Sequence, residues 1–104
     1  MNNVQLAKVL KALSHPNRLE LFFEIARQSE ARFESGEERC GECFITDIIG
    51  SLKIGAPTIS HHLKELANAG LITTERRGKY LIARVNEETI GEVNRLLAIS
   101  NDKR

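Results

Sequence analysis

The chain has 104 residues, of which 41% are hydrophobic and 28% charged, and its net charge is +1. This mix excludes an intrinsically disordered chain and predicts a single globular domain over residues 1–104. No apolar run approaches the roughly 18–20 residues that span a bilayer, and two cysteines are too few for a disulfide scaffold, so we expect a cytoplasmic protein.

The near-neutral net charge conceals an uneven distribution along the chain. Between residues 20 and 47, eight acidic residues outnumber three basic ones, whereas between residues 53 and 84 six basic residues outnumber two acidic ones. A basic half gives a near-neutral protein a preferred face for a polyanion. Chance segregation of solvated surface charge explains the same pattern equally well, so charge alone does not decide between them.

Two helices are predicted in the N-terminal third of the chain. Apolar residues at helical spacing predict the first helix over about residues 3–13. The segment Ser14-His15-Pro16-Asn17 separates it from a second helix over about residues 16–28, because serine is able to cap a helix and proline suits its first turn. The second helix is apolar around most of its girth, which predicts a central position with several neighbours.

A long polar loop is predicted over residues 29–43. This stretch is rich in charged residues, contains two glycines and lacks an apolar stripe, and Cys40 and Cys43 lie at its end. Loops of this length in a compact domain are frequently functional or mobile.

The second half of the chain predicts a helix-turn-helix followed by a β-hairpin. Helices are expected over residues 45–52 and 56–69, joined by a three-residue turn. Two β-rich segments then flank Arg77-Gly78, where a tight turn needs a positive φ, and Asn86 caps a last helix. The order α-α-α-α-β-β-α predicts a mainly α fold with a small β-hairpin, a winged helix-turn-helix.

The helix over residues 56–69 and the hairpin carry the residues expected to contact DNA. Burial of Ile59, Leu63 and Leu66 turns polar side chains outward, as in a helix that reads a major groove. The candidate contacts are Thr58, Ser60, His61 and Lys64 on the helix, and Arg76, Arg77 and Lys79 on the hairpin. A solvated amphipathic helix has the same pattern, but a cationic hairpin directly after it favours phosphate contact and makes DNA binding the better interpretation.

Several motifs together resemble a known family. They are Leu13-Ser14-His15-Pro16-Asn17-Arg18-Leu19, Ile45-Thr46-Asp47-Ile48, residues 56–66 (APTISHHLKEL), residues 69–72 (AGLI) and residues 76–80 (RRGKY). Their order resembles the ArsR/SmtB family of winged-helix repressors over nearly the whole chain outside the loop. The resemblance implies a homodimer formed mainly by the first and last helices, a double-stranded inverted-repeat operator, and release by an inducer that is often a toxic metal ion. It also implies that Ser60 and His61 meet DNA.

The metal-binding positions usual in that family are incomplete here. Where family sensors place cysteines, this chain has Phe44 and Thr46, and the histidine-type positions of the last helix hold Thr89 and Ser100. The segment Cys40-Gly41-Glu42-Cys43 is the remaining candidate for a metal or thiol site. Its two thiolates are able to hold a soft metal or metalloid ion with one further donor, or to form a disulfide, but they do not complete a four-ligand zinc site.

Several alternatives stay open at this stage. A repressor without any sensing role fits the sequence as well as a soft-metal sensor does, and a thiol redox sensor is a third possibility. A winged helix that has lost DNA binding and serves as a protein-interaction module is the main rival. A thiol–disulfide enzyme at Cys40 and Cys43 lacks the βαβ surroundings of such enzymes. No catalytic residue is predicted, and His62 is expected to play a structural role at the edge of the core.

Overall fold

The computed structural model describes residues 1–34 and 56–98. In chain order, the elements in these ranges are α1 (Asn3–Ala12), α2 (Pro16–Gln28), β1 (Glu30–Glu34), α3 (Ala56–Asn68), β2 (Ile72–Arg77), β3 (Tyr80–Val85) and α4 (Glu87–Leu97). The predicted mainly helical fold with a hairpin is confirmed. The helix predicted over residues 45–52 lies outside the described residues, as do Cys40 and Cys43.

Helix α2 begins one residue later than a serine cap would place it. Pro16 takes the first helical position, so His15 is the N-cap, and its Nδ1 accepts a hydrogen bond from the backbone N–H of Asn17 at 3.2 Å. Ser14 does not cap α2; its hydroxyl donates to the carbonyl of Lys11 at the end of α1, at 2.8 Å. Proline tolerates the first helical position because its missing N–H has no partner there.

The first part of the predicted 29–43 loop is a strand, which corrects the sequence analysis. Strand β1 pairs antiparallel with β3, placing Ala31 opposite Ala83 and Phe33 opposite Leu81. Ala31 and Phe33 are buried in the core, whereas Arg32 between them is exposed on the other face of the sheet. The alternation of apolar and charged residues that is typical of a strand extends over only five residues, and the charged residues around it made it resemble a loop. The sheet has the order β1-β3-β2, so β3 is its central strand.

The core lies between the inner face of this sheet and helices α2 and α3. Its fully buried large side chains include Val9, Leu21, Ile25, Leu66 and Leu71. The predicted central position of α2 with several neighbours is confirmed, since it packs against α3, β1 and β3, but only one side of the helix is buried. Leu21, Phe22 and Ile25 are buried, whereas Phe23 is 54% exposed and Ala26 is also exposed, because the described elements cover one side of the helix.

The hairpin turn is displaced by one residue from its predicted position. Arg77 pairs with Tyr80 as the last residue of β2, so the two-residue turn is Gly78-Lys79. Gly78 has φ +60° and Lys79 does not have a positive φ. Glycine in the first turn position is the pattern of a type II′ hairpin, whose twist matches that of the strands.

Helix α3 ends in a Schellman motif. Gly70 has φ +81°, and the N–H of Leu71 donates to the carbonyl of Leu66 at 3.0 Å while the N–H of Gly70 donates to Ala67 at 3.0 Å. Both bonds satisfy carbonyls that the helix end would otherwise leave unpaired. The motif turns the chain directly from α3 into β2.

Replacing Gly70 with alanine is expected to lower the free energy of unfolding by about 1–2 kcal/mol, because an L-residue is strained in the left-handed region. The matched control is Gly91→Ala in the interior of α4, where an added Cβ meets nothing within 4 Å. That substitution is expected to raise stability by about 0.5–1 kcal/mol. Urea denaturation followed by circular dichroism measures both, and equal effects of the two substitutions would contradict the assigned helix end.

Candidate nucleic-acid interface

Helix α3 presents a polar face to solvent because its aliphatic face is buried. Ile59 and Leu63 are each 3% exposed and Leu66 is fully buried. The exposed side chains on the other side are Thr58, Ser60, His61 and Lys64. The side chains predicted to face the core are therefore buried, and those predicted to face outward are exposed. The exposed set combines hydroxyl groups, an imidazole and an ammonium group, all of which hydrogen-bond to base edges or phosphates.

The hairpin does not hold its three cations as one cluster. Successive residues of a strand point to opposite faces of a sheet. Arg76 pairs with Leu81, whose other neighbour is the buried Phe33, so Arg76 lies on the face that packs against the helices. Arg77 lies on the opposite, outer face, and Lys79 lies in the turn. Arg76 is therefore the cation that shares a side of the sheet with α3.

The outer face of the sheet carries a network of ion pairs that sequence analysis missed. Arg84 lies 3.2 Å from a carboxylate oxygen of Glu30 and 3.1 Å from one of Glu75. Arg77 lies 3.6 Å from Glu30 and 3.2 Å from Glu75. Hydrogen bonds from Arg77 and then Arg84 hold the pKa of Glu75 below its usual value, and the hydrogen bond to Glu75 raises the pKa of Arg77. The four residues form one closed set, which we call the outer-face network.

This network lies around a buried aliphatic residue. Ile82 points to the outer face between Arg32 of β1 and Glu75 of β2, yet it is only 1% exposed. Its cross-strand neighbours on this face have long charged side chains, and such side chains commonly shield apolar surface with their methylene groups. At its centre β3 is therefore buried on both faces, through Ile82 on the outer face and Ala83 on the inner one.

The cations of the interface consequently differ in how they are held. Arg77 is paired with two carboxylates, whereas Arg76 makes no ion pair with residues 1–34 or 56–98. Glu30 could be found from the sequence only by recognising β1, because it stands 54 residues from Arg84.

The structure brings no candidate metal site together in its described part. Residues 1–34 and 56–98 hold no cluster of three or more histidine, cysteine or acidic side chains placed for a metal ion. In the same ranges, each helix is too short or too polar to cross a membrane.

Sequence comparison relates the chain to bacterial regulators. The profile of the family described as "Bacterial regulatory protein, arsR family" matches residues 37–74. The arsenical resistance operon repressor of Staphylococcus xylosus is 31% identical over 97% of this chain and 85% of that repressor.

Solved structures show the same fold. An ArsR-like transcriptional regulator from Rhodococcus sp. RHA1 superposes with a TM-score of 0.67 at 23% identity, over 90% of this chain and 76% of that one. A homodimeric winged helix-turn-helix DNA-binding domain from Mycobacterium bovis superposes with a TM-score of 0.61 at 23% identity, over 88% and 73% of the two chains.

Proposed function

Because the chain belongs to the ArsR family of winged-helix transcriptional regulators, we propose that it is a homodimeric repressor that binds a double-stranded DNA operator through α3 and the β2–β3 hairpin. The observation that carries this proposal is the exposed polar face of α3, which is set by burial of the opposite face. Arg76 lies on the face of the sheet that packs against the helices. A regulator of this kind acts in the cytoplasm, where bacterial DNA is found.

The exposed residues divide into two roles. Thr58, Ser60 and His61 occupy the first half of α3, and in helix-turn-helix proteins the N-terminal residues of the recognition helix contact base edges. Lys64 and Arg76 are suited to phosphates, which position the protein and supply most of its affinity. Contact between DNA and Arg77 would compete with the outer-face network, so its share in binding is expected to be smaller. Lys79 approaches the duplex from the tip of the turn.

Dimerisation is proposed to use the apolar surface of α1 and α4. Helix α4 has no fully buried residue within the subunit, and Leu96 and Leu97 are substantially exposed, as are Val4 and Leu10 of α1. Burying these side chains against a second copy removes apolar area from water. A two-fold dimer places two copies of α3 in successive major grooves about 34 Å apart, which requires an inverted-repeat operator.

The inducer is proposed to act at Cys40 and Cys43, as a soft metal or metalloid ion or a thiol-reactive compound. Support for this step comes from the C-x-x-C spacing, since thiolates are ligands for soft ions and are readily oxidised. A homologue that represses an arsenical resistance operon makes arsenite a natural probe.

Arg76→Ala is expected to weaken DNA binding and to lower the slope of log K against log[salt] by about 0.9, the value for one lost phosphate contact. The measurement is fluorescence anisotropy on the duplex upstream of the encoding gene, over a series of salt concentrations. Arg27→Ala, a cation on α2 paired with Glu24, is the control and should leave the slope unchanged. A wild-type chain that binds no duplex would favour a protein-interaction module instead.

Replacing both Glu30 and Glu75 with glutamine is expected to strengthen non-specific DNA binding and to steepen its salt dependence by about one to two phosphate contacts. The reason is that Arg77, which lies beside the hairpin turn, loses both carboxylate partners and becomes available to the DNA backbone. The double variant Glu87→Gln/Glu88→Gln changes the net charge equally at the start of α4, beyond the end of β3 that is remote from the turn. Equal effects of the two double variants would show that only net charge matters.

Replacing both Cys40 and Cys43 with serine is expected to leave operator affinity within about twofold while abolishing release by the inducer, since neither cysteine is proposed to touch DNA. The reduced protein–DNA complex is challenged separately with arsenite, Zn²⁺ and diamide. Normal release of the serine variant would remove these cysteines from the mechanism without affecting the proposal of DNA binding.

A further inference from the structure

One polar side chain of α3 lies inside the subunit. His62 is 3% exposed and is the buried polar residue of the part of the chain that the structure describes. Its Nδ1 accepts a hydrogen bond from Nε of Arg18 at 3.2 Å, so the ring proton is carried by Nε2. Nε2 is buried and has no hydrogen-bond partner among the described residues. A buried donor without a partner costs free energy, so this arrangement needs an explanation beyond packing.

Arg18 connects His62 to two other helices. It stands in the first turn of α2, and its second arm donates to the carbonyl of Ala12, the last residue of α1, at 3.4 Å. That carbonyl belongs to the helix end and lacks an intrahelical partner. One guanidinium therefore joins the end of α1, the start of α2 and the middle of α3.

His62 is well placed to affect the proposed DNA contacts. It follows Ser60 and His61 directly on α3, and the rings of His61 and His62 lie 5.7 Å apart. Because α3 is a rigid helix, a change in how His62 is anchored rotates or shifts the neighbouring exposed residues. Aliphatic packing through Ile59, Leu63 and Leu66 resists a large rotation but has little directionality, whereas a hydrogen bond fixes a specific orientation.

We propose that Arg18 and His62 are a positioning pair that holds α3 in its DNA-binding orientation relative to α1 and α2. The inference rests on the proposed function and adds a determinant that lies behind the interface, without contact to DNA. It also gives α1, the proposed dimerisation helix, a direct polar connection to the helix that reads the operator.

The pair requires a neutral imidazole, because a protonated ring has no acceptor for Arg18. Burial, followed by the positive charge of Arg18 and then His15 and His61, lowers the pKa of His62 from its usual 6.5, and Glu65 partly opposes this. These are the charged and titratable groups that face it from α2, its cap and α3. The unfolded chain thus binds the proton more readily than the folded one. The contribution of His62 to stability is therefore complete well above pH 6.5 and is lost as the pH falls below that value.

Three variants separate positioning from general stability. His62→Asn is the conservative variant, because its amide oxygen is a hydrogen-bond acceptor near the position of Nδ1 but the side chain does not titrate. His62→Leu removes the acceptor, and Arg18→Met removes the donor while keeping a long side chain. Affinity for the operator duplex is measured by anisotropy between pH 5.5 and 8, with the folded fraction and dimer checked by circular dichroism and sedimentation.

At pH 7.5, Arg18→Met and His62→Leu are each expected to weaken DNA binding by roughly tenfold, whereas His62→Asn stays within about threefold of wild type. Wild type is expected to lose affinity and thermal stability below pH 6.5, and His62→Asn is expected to reduce both losses. Nitrogen-15 shifts of the His62 ring at pH 7.5 should show a proton on Nε2 and none on Nδ1. Should His62→Leu fail to fold, Arg18→Met and His62→Asn still give the comparison.

Unchanged operator affinity in folded Arg18→Met, with only a lower Tm, would overturn the proposal and leave the pair a purely structural one. A pH profile of His62→Asn identical to wild type would likewise overturn it. If the wild-type chain binds no duplex DNA at any pH, the proposed function itself fails and takes the positioning role with it. If the wild-type chain binds DNA and the variants bind it equally well, only the positioning role of Arg18 and His62 is contradicted.

Discussion

Burial of Ile59, Leu63 and Leu66 sets the rotation of α3 about its own axis, and the proposed interface follows from that rotation. Each aliphatic side chain taken out of water contributes about 1.5–3 kcal/mol. Turning the helix by one residue would expose part of this stripe and bury hydroxyl or charged groups without partners. The outward position of Thr58 and His61 is therefore stabilised by the core on the opposite side of the helix, and the residues that would read DNA contribute nothing to it themselves.

The sheet imposes a similar constraint on the hairpin, but through charge. Along the sequence the acidic and basic halves are separate, which favours a basic face. In space β1 returns from the acidic half and pairs with β3, so Glu30 lies against Arg84 and Arg77. The segregation seen in the sequence is thus partly cancelled in the fold. Of the two hairpin arginines, Arg76 is the one on the side of the sheet that faces the helices. Net charge summed over a segment predicts an interface only when pairing between segments leaves those charges unpaired.

Elements predicted correctly are those whose signal is local. The apolar spacing of α3 and the glycine turn of the hairpin are each contained within a few residues, so sequence alone gave their type and approximate bounds. The features missed depend on distant partners: Glu30 and Arg84 are 54 residues apart, and Arg18 and His62 are 44 apart. Phe23 shows a different limit. Its periodicity is that of a core residue, yet it is exposed in the subunit, because hydrophobic spacing does not distinguish a core from a surface that another molecule covers.

Chain connectivity gives the cysteine segment a particular relation to the interface. The chain leaves the described part at the end of β1, where Glu34 is paired with Tyr80 beside the hairpin turn, and re-enters it at Ala56, the start of α3. Residues 35–55, including Cys40 and Cys43, are thus joined at one end to the hairpin sheet and at the other to the proposed recognition helix. The ligand or disulfide proposed at these cysteines would change the conformational entropy of a segment whose two attachments are the two parts of the proposed interface. Such a ligand is coupled to DNA binding when the two attachments fit the DNA-bound and the DNA-free orientation of α3 unequally well. The Arg18–His62 hydrogen bond is one contact through which this inequality would act on α3.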